Sequence, residues 1–80
     1  MKAHIWVMPK LTVLDPQGKT IHNALSSLGY KTVQSVRQGK FFVLELEGLT
    51  RAEAETQIEK ISSDVLANLV IEDFRFEIVE

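Results

Sequence analysis

The 80-residue sequence contains no cysteine and little glycine, proline or surplus charge, and these scarcities exclude several kinds of protein. Without thiols the chain forms no disulfide and no thiolate metal site, and two distant histidines do not make a metal cage. A net charge of −2 argues against binding along a nucleic-acid backbone, which requires a basic surface. No apolar run approaches the roughly 18 residues that cross a bilayer, and no signal peptide is recognisable, so we expect a cytoplasmic protein without membrane contact.

The length allows one domain, residues 1–80, with a small hydrophobic core. A chain of this size buries only about 60–65% of its unfolded surface, so its stability is marginal. Small domains usually compensate with disulfides, a metal or a partner chain. Because this sequence offers neither thiols nor a metal site, association with another chain is the remaining means of stabilisation.

The clearest local signal is a helix predicted from about Pro16 to Leu28. Asp15 suits the N-cap position, where its carboxylate accepts N–H groups of the first turn, and Pro16 suits the first helical position. One apolar stripe follows at helical spacing, comprising Ile21, Ala24, Leu25 and Leu28. Gly29 suits the position after the helix because glycine tolerates positive φ.

Hydrophobic patterns predict four strands and a second helix in the order β-α-β-β-α-β. The strands are predicted at Lys2–Met8, Thr32–Gln38, Lys40–Glu47 and Val70–Val79. Thr50 and Glu53 form a capping-box sequence before a helix predicted over Arg51–Ala67. Its buried stripe is expected to be Ala54, Ile58, Ile61 and Val65. Gln38 and Gly39 are predicted to form a two-residue hairpin turn in which Gly39 takes positive φ.

This order predicts an α+β, two-layer ferredoxin-like sandwich, in which a four-stranded antiparallel sheet carries both helices on one face. The first and third predicted strands should be central because both have apolar residues on two faces. The sheet face without helices would then expose an apolar patch of Trp6, Met8, Phe41 and Val43. Soluble monomers avoid patches of that kind, so we expect this face to form a homodimer interface.

Candidate catalytic groups are isolated in the sequence, so no active site is predicted. Glu45 and Glu47 share a strand face but lack a third functional group beside them. Two serine pairs have no nearby histidine and are expected on helix surfaces: Ser26-Ser27 and Ser62-Ser63. His4 is expected to be half-buried or at an interface, and His22 is expected to be solvated.

Other functions use the same topology and leave weaker signals. Lys40-Phe41-Phe42-Val43 faintly resembles the aromatic strand motif of RNA-recognition domains, but the acidic chain has no basic path for phosphates. Acylphosphatases need an arginine in an anion loop after the first strand, and Pro9-Lys10-Leu11-Thr12 supplies none. The remaining alternative is a regulatory module that binds a small molecule between subunits, although no glycine-rich ligand loop is present.

Several sequence blocks together resemble the PurS family. They are Pro9-Lys10, Val13-Leu14-Asp15-Pro16-Gln17-Gly18, Ala24-Leu25 with Leu28-Gly29-Tyr30, Val36-Arg37 with Gly39-Lys40, and Leu66-Ala67-Asn68 with Val70-Ile71-Glu72-Asp73-Phe74. The resemblance spans nearly the whole chain and keeps the spacing between the blocks. Leu69 departs from the family, which usually has proline there, and Leu11-Thr12 replaces a common Pro-Gly pair.

The resemblance implies a non-catalytic subunit of phosphoribosylformylglycinamidine (FGAM) synthase, an enzyme of de novo purine synthesis. In that family the glutaminase PurQ releases ammonia, and the synthetase PurL uses ATP to activate the amide substrate. PurS forms a dimer, docks with PurL and PurQ, and assists ammonia transfer. The resemblance therefore implies a homodimer or tetramer that binds no cofactor, with ATP and Mg²⁺ expected on PurL.

Two segments outside the core stripes are specific in sequence, Pro9–Gly18 and the predicted hairpin Arg37–Lys40. They are therefore candidates for contact with PurL. Their candidate partner-binding residues are Lys10, Asp15, Gln17, Arg37 and Lys40. The simpler interpretation is that these residues only fix the geometry of turns.

Overall fold

Three antiparallel strands and two helices make up the structure, a computed structural model that describes residues 1–80. The elements are β1 (Lys2–Pro9), α1 (Pro16–Ser27), β2 (Lys40–Glu45), α2 (Arg51–Ile61), a π-helical turn (Ser62–Leu66) and β3 (Glu72–Val79). β1 is the central strand, between β2 and β3. Neither helix has the length and hydrophobicity needed to span a bilayer. The fold is α+β as predicted, with three strands rather than four.

α1 begins and ends as the sequence predicts. Asp15 Oδ1 accepts a hydrogen bond from the Gly18 N–H at 3.0 Å, and Pro16 occupies the first turn. After the helix, Gly29 has φ +97°, and two N–H groups donate back to carbonyls of the last turn. This Schellman arrangement satisfies carbonyl groups that a helix end would otherwise leave unpaired.

α2 begins with the predicted capping box but ends in an irregular turn. Thr50 Oγ1 accepts the Glu53 N–H at 3.2 Å, and the Glu53 carboxylate accepts the Thr50 N–H at 2.9 Å. In the π turn, the Ala67 N–H donates to the Ser62 carbonyl five residues earlier. The wider turn changes which residues face the core, so Val65, predicted to be buried, is 75% exposed. Ser62, predicted at the surface, is buried instead.

The hydrophobic core lies between α2 and one face of the sheet, which we call the helix-side face. Its buried apolar side chains are Ala3, Ile5, Val7, Ala54, Ile58, Ala67 and Ile78. Residues directly opposite one another across a β-ladder point to the same face. Phe42 and Leu44 of β2, and Phe74 and Phe76 of β3, therefore complete this face, partly buried. The alternation of apolar and polar residues in the sequence predicts these inward positions on β2 and β3, and the structure confirms them.

The predicted strand at Thr32–Gln38 is not part of the sheet, and its hairpin turn is absent. Residues 33–39 have no strand partner and enter β2 without a turn, and Gly39 does not take positive φ. Consequently β2, predicted to be central, is an edge strand, and no four-stranded ferredoxin-like sheet forms within the chain. The physical reason is a competing contact, because the Gln38 N–H donates to Asp15 before α1.

Residues 10–39 form a projecting arm, which consists of α1, its flanking loops and the segment 33–39 that leads back to β2. No apolar side chain of the arm belongs to the core or packs against it. The prediction that α1 lies beside α2 on one face of the sheet is therefore wrong for the single chain. The molecule is elongated, 50 × 26 × 14 Å, with a radius of gyration of 16.0 Å. A compact domain of this length would have about 12 Å. We call the remainder, β1, β2, α2, the π turn and β3, the body.

Candidate interaction surfaces

The sheet face opposite α2, the open face, carries a cluster of aromatic rings. Trp6 and Phe41 are partners across the β1–β2 ladder, and His4 lies two residues before Trp6. The ring centroids of Trp6 and Phe41 are 5.2 Å apart, and those of His4 and Phe41 are 5.5 Å apart. Phe41 is 52% exposed and Val43 is 49% exposed, while Trp6, Met8 and His4 are half-buried. The apolar patch expected from the sequence is therefore present on the single chain.

Charged side chains surround these rings. Arg75, opposite Trp6 on β3, places its guanidinium carbon 4.0 Å from the Trp6 ring centroid, where the π face attracts a cation. By ladder position, Glu45 and Glu77 lie toward one end of the open face and Asp73 lies toward the other. An aromatic centre with a charged rim is the usual composition of a protein contact surface.

Hydrogen bonds among five residues fix the start of the arm. We call these residues the arm base: Pro9, Asp15, Gln17, Arg37 and Gln38. Asp15 Oδ2 accepts the Gln38 N–H at 2.8 Å, while the other carboxylate oxygen caps α1. Gln38 Nε2 donates to Gln17 Oε1 at 2.8 Å, and the Arg37 guanidinium donates to the Pro9 carbonyl. One carboxylate thus joins the start of α1 to the segment that enters β2.

These contacts favour the charged form of Asp15. The hydrogen bond from the Gln38 N–H is the main cause that lowers the pKa of Asp15, and the Gly18 N–H adds to it. The charge of Arg37 acts in the same direction, whereas desolvation acts against it. Hydrogen bonds from Thr50 likewise lower the pKa of Glu53. Both carboxylates therefore behave as helix caps, whereas a general acid at neutral pH would need a raised pKa.

Two glycines permit close contacts around the arm base. A Cβ on Gly18 would meet the Val36 carbonyl and the Asp15 carboxylate. A Cβ on Gly39 would meet a carbonyl and a methionine sulfur of β1. Gly39 was predicted to be needed for its positive φ, but the structure requires glycine there because other atoms approach so closely.

The predicted partner-binding residues all have contacts within the chain. Lys10 forms an ion pair with Asp73 at 2.8 Å, and Lys40 forms one with Glu72 at 3.4 Å. The other three belong to the arm base. These contacts support the simpler interpretation, in which the residues fix the geometry of the arm, and their role in binding a partner stays a prediction.

His22 and Gln38 have structural roles that the sequence pattern did not predict. His22, predicted to be solvated, is half-buried with Nε2 2.9 Å from the Val33 carbonyl oxygen, and it joins α1 to the returning segment. Gln38, predicted as a turn residue, supplies the N–H that Asp15 accepts. The sequence contains one signal for the role of His22. Gly18 and His22 are four residues apart and therefore lie on the same face of α1, the face that the returning segment contacts.

The fold and these surfaces define a small α+β protein with an aromatic open face and a hydrogen-bonded projecting arm. A family model described as "PurS: Phosphoribosylformylglycinamidine (FGAM) synthase" matches residues 2–80. The chain belongs to the PurS family.

Individual relatives resemble the chain along nearly its whole length. Phosphoribosylformylglycinamidine synthase subunit PurS of Bacillus subtilis (strain 168) is 40% identical over 79 residues, which are 99% of this chain and 93% of that protein. A solved structure of B. subtilis PurS has a TM-score of 0.89 and covers 99% of this chain and 98% of that one. A chain in the structure of PurLQS from Thermotoga maritima is 30% identical with a TM-score of 0.86, covering 95% and 93%. Such coverage includes the arm, so the arm is part of the shared structure.

Proposed function

We propose that this chain is the assembly subunit of FGAM synthase and that it contacts PurL and PurQ. The observation that carries the proposal is the match, over nearly the full length, to a chain of the T. maritima PurLQS structure. In this proposal PurQ releases ammonia from glutamine, and PurL uses ATP and Mg²⁺ to activate formylglycinamide ribonucleotide. This chain binds no cofactor and assists ammonia transfer by holding the larger subunits together. Its cytoplasmic location stays a prediction.

The distribution of polar and aromatic groups supports a contact role. The carboxylates of Asp15 and Glu53 are both engaged at helix starts, where hydrogen bonds lower their pKa values. By contrast, Trp6 and Phe41 are grouped on the open face with Arg75 over the indole ring. Tryptophan, tyrosine and arginine are the residues that most often dominate binding at protein interfaces.

The assembly role is tested by measuring FGAM synthesis with PurL and PurQ, with and without this chain. With glutamine as the nitrogen source, omission of the chain should abolish most of the activity, because ammonia must pass between two subunits that the chain brings together. With ammonium salt in place of glutamine, omission of the chain should reduce the rate of FGAM synthesis by PurL far less. A full glutamine-dependent rate without the chain would contradict the proposal.

We further propose that the open face joins copies of the chain in a homodimer, or joins dimers in a tetramer. Trp6→Glu would place a carboxylate in the aromatic cluster, where burial against another chain is unfavourable. The variant should sediment with half the mass of the unsubstituted protein. Thr56→Glu, on the outer side of α2, is the matched control and should keep that mass. An unchanged mass for Trp6→Glu would refute this interface.

Contact with PurL is assigned to the arm base and the start of β2. Arg37→Ala and Lys40→Ala should weaken capture of PurL in a pull-down, whereas Lys31→Ala, an exposed cation elsewhere on the arm, should not. Because Arg37 also contacts the Pro9 carbonyl, hydrogen exchange of α1 in each variant shows whether the arm stays in place. Undiminished capture of PurL by both variants would contradict the assignment.

A further inference from the structure

The sheet has a free edge along β3, on the side away from β2 and the arm. Residues of an antiparallel ladder alternate between hydrogen-bonded and non-hydrogen-bonded positions. The Lys10 N–H donates to the Ile71 carbonyl, so the odd-numbered residues of β3 direct their backbone groups toward β1. The backbone groups of the even-numbered residues, which include Phe74, Phe76 and Ile78, therefore point outward from the sheet.

The chain itself engages outward groups at both ends of this edge. The Arg51 guanidinium donates to the Ile78 carbonyl at 3.2 Å. At the other end, the Glu72 N–H donates to the Asn68 carbonyl at 2.7 Å. Both contacts agree with the outward direction of the even-numbered residues. We call the stretch between them, Asp73–Glu77, the β3 edge, and it is about 17 Å long at the usual rise of a strand.

The β3 edge lacks the usual protection against pairing with another strand. Edges in folded proteins are commonly protected by lysine, proline, a bulge or a covering element. β3 contains neither lysine nor proline, and its pairing with β1 continues without a bulge. No hydrogen bond outside the strand ladder reaches the backbone of Phe74 or Phe76. The N–H and carbonyl groups of both phenylalanines are therefore available to an extended segment.

The side chains along the β3 edge specify the kind of segment that fits. Asp73, Arg75 and Glu77 lie on the open-face side, so their charges alternate negative, positive, negative. Phe74 and Phe76 lie on the helix-side face and are half-buried. A fitting segment has cations opposite the two carboxylates, an anion opposite the guanidinium, and apolar residues beside the phenylalanines.

A second copy of the chain does not satisfy this pattern. When two β3 edges pair antiparallel through free groups alone, Phe74 lies opposite Phe76 of the other copy. That register places Asp73 opposite Glu77 and each Arg75 opposite its counterpart. Like charges that lie directly opposite one another are destabilising. The neighbouring registers use end groups that the chain already engages, so the occupant is a different protein.

We propose that the β3 edge binds an extended segment of PurQ as an additional strand. In such strand addition the backbone hydrogen bonds provide affinity, and the alternating side chains provide specificity. Contact with PurL is assigned to the arm base and the start of β2, so the edge on the other side of the sheet is left for PurQ. The proposal deepens the proposed function, on which it rests, because it gives the second large subunit a defined site on the body.

Hydrogen exchange, read residue by residue, tests the proposal in the chain alone, with PurL, and with PurL and PurQ together. In the chain alone, the N–H groups of Phe74 and Phe76 should exchange about tenfold faster than those of Arg75 and Glu77, which face β1. Addition of PurL should leave this alternation unchanged. Further addition of PurQ should slow exchange at Phe74 and Phe76 about tenfold and leave the β1-facing amides nearly unchanged. Docking through side chains would not select alternate amides in this way.

Every other result overturns the proposal. If alternate protection appears with PurL alone, the edge binds the other large subunit. If it appears in the chain alone and grows with protein concentration, a second copy occupies the edge. If the three proteins form a complex, as its sedimented mass shows, without alternate protection, the edge stays free and the assembly role still stands. Absence of any complex would refute the assembly role as well.

Reversal of one charge on the edge provides a second measurement. Glu77→Lys would face the cation expected on PurQ, and the affinity of PurQ for the complex of this chain with PurL should fall about tenfold. Glu77 is exposed, so the variant should keep its fold. Glu47→Lys is the matched control, because it makes the same change of charge beyond the end of β2, and it should keep the affinity. Undiminished affinity in Glu77→Lys would overturn the proposal.

Discussion

The body and the arm are stabilised by different means. In the body, α2 and the three strands bury side chains that are far apart in sequence, and eight of the nine buried residues lie there. Gly18 is the ninth, and it is the single buried residue of the arm. The arm is held by the hydrogen bonds that the Asp15 carboxylate accepts, by the C-terminal turn of α1 and by the other contacts of the arm base. Both helices have good caps and apolar stripes, but only α2 packs against the sheet. Caps and stripes therefore predict that a helix forms, and they do not predict where it packs.

The largest difference between the regions is expected from truncating one isoleucine in each helix. Ile58 of α2 is fully buried, so Ile58→Ala should lower the free energy of unfolding by about 2–5 kcal/mol. Ile21 of α1 is 40% exposed, and Ile21→Ala should cost less than about 1 kcal/mol in dilute protein. Urea denaturation of both variants provides the measurement.

Equal losses for the two variants would contradict the comparison, because they would place α1 within the core of the single chain. If the loss of unfolding free energy in Ile21→Ala increases with protein concentration, the arm gains its packing from a second copy of the chain. That result would add to the difference between the arm and the body.

Gly18→Ala should weaken the arm although alanine is usually the better helix residue by about 1 kcal/mol. The added Cβ would meet the Val36 carbonyl and the Asp15 carboxylate, so we expect a local loss of about 1–3 kcal/mol. Hydrogen exchange of α1 amides should accelerate accordingly. The control is Lys19→Ala, where the exposed side chain has no such neighbours, and exchange should stay the same or become slower. Slower exchange in Gly18→Ala would show that the close contact is unimportant.

Ser62→Ala should stabilise the body by about 1 kcal/mol. The Ser62 hydroxyl is buried without a hydrogen-bond partner, and an unsatisfied buried polar group is unfavourable. Ser63→Ala is the matched control, because the Ser63 hydroxyl donates to the Lys60 carbonyl, and its removal should be neutral or slightly destabilising. Thermal unfolding distinguishes the two, and a lower midpoint for Ser62→Ala would contradict the expectation.

The smallest effect is a pH dependence of the arm base. The pKa of Asp15 lies below its ordinary value of 3.8, mainly because of the Gln38 N–H, so its stabilising contribution is complete above that value. It is lost as the pH falls through the lowered pKa, since protonation weakens the carboxylate as an acceptor. The NMR shift of the Gln38 amide should therefore change in that acidic range. In Asp15→Asn, which keeps a cap but has no carboxylate, this change should disappear; a titration that persists would have another source.

The parts of the fold that the sequence predicted correctly depend on neighbouring residues. Asp15, Pro16 and Gly29 mark the ends of α1, and Thr50 with Glu53 marks the start of α2. Each signal works within one turn of helix, so the rest of the chain need not be known. Alternation along β2 and β3 likewise predicted the two sheet faces, including the exposed patch on the open face.

The incorrect predictions concern competition between groups far apart. The Gln38 N–H had two possible acceptors, a neighbouring strand or the Asp15 carboxylate, and Asp15 lies 23 residues away. The sequence pattern could not rank these alternatives, because each satisfies the donor. The π turn is a similar case. One changed hydrogen bond buries Ser62, which was predicted at the surface, and exposes Val65, which was predicted to be buried.

The amino-acid sequence alone determined the α+β class, the helix caps, the apolar and polar faces of the strands, and the family resemblance. These features follow from local backbone preferences and from the period of the hydrophobic pattern. Only the tertiary structure decided that residues 10–39 project as an arm and that β2 is left at an edge. The physical reason is that hydrogen bonds between distant residues direct this segment away from its own sheet, and local patterns carry no information about such competition.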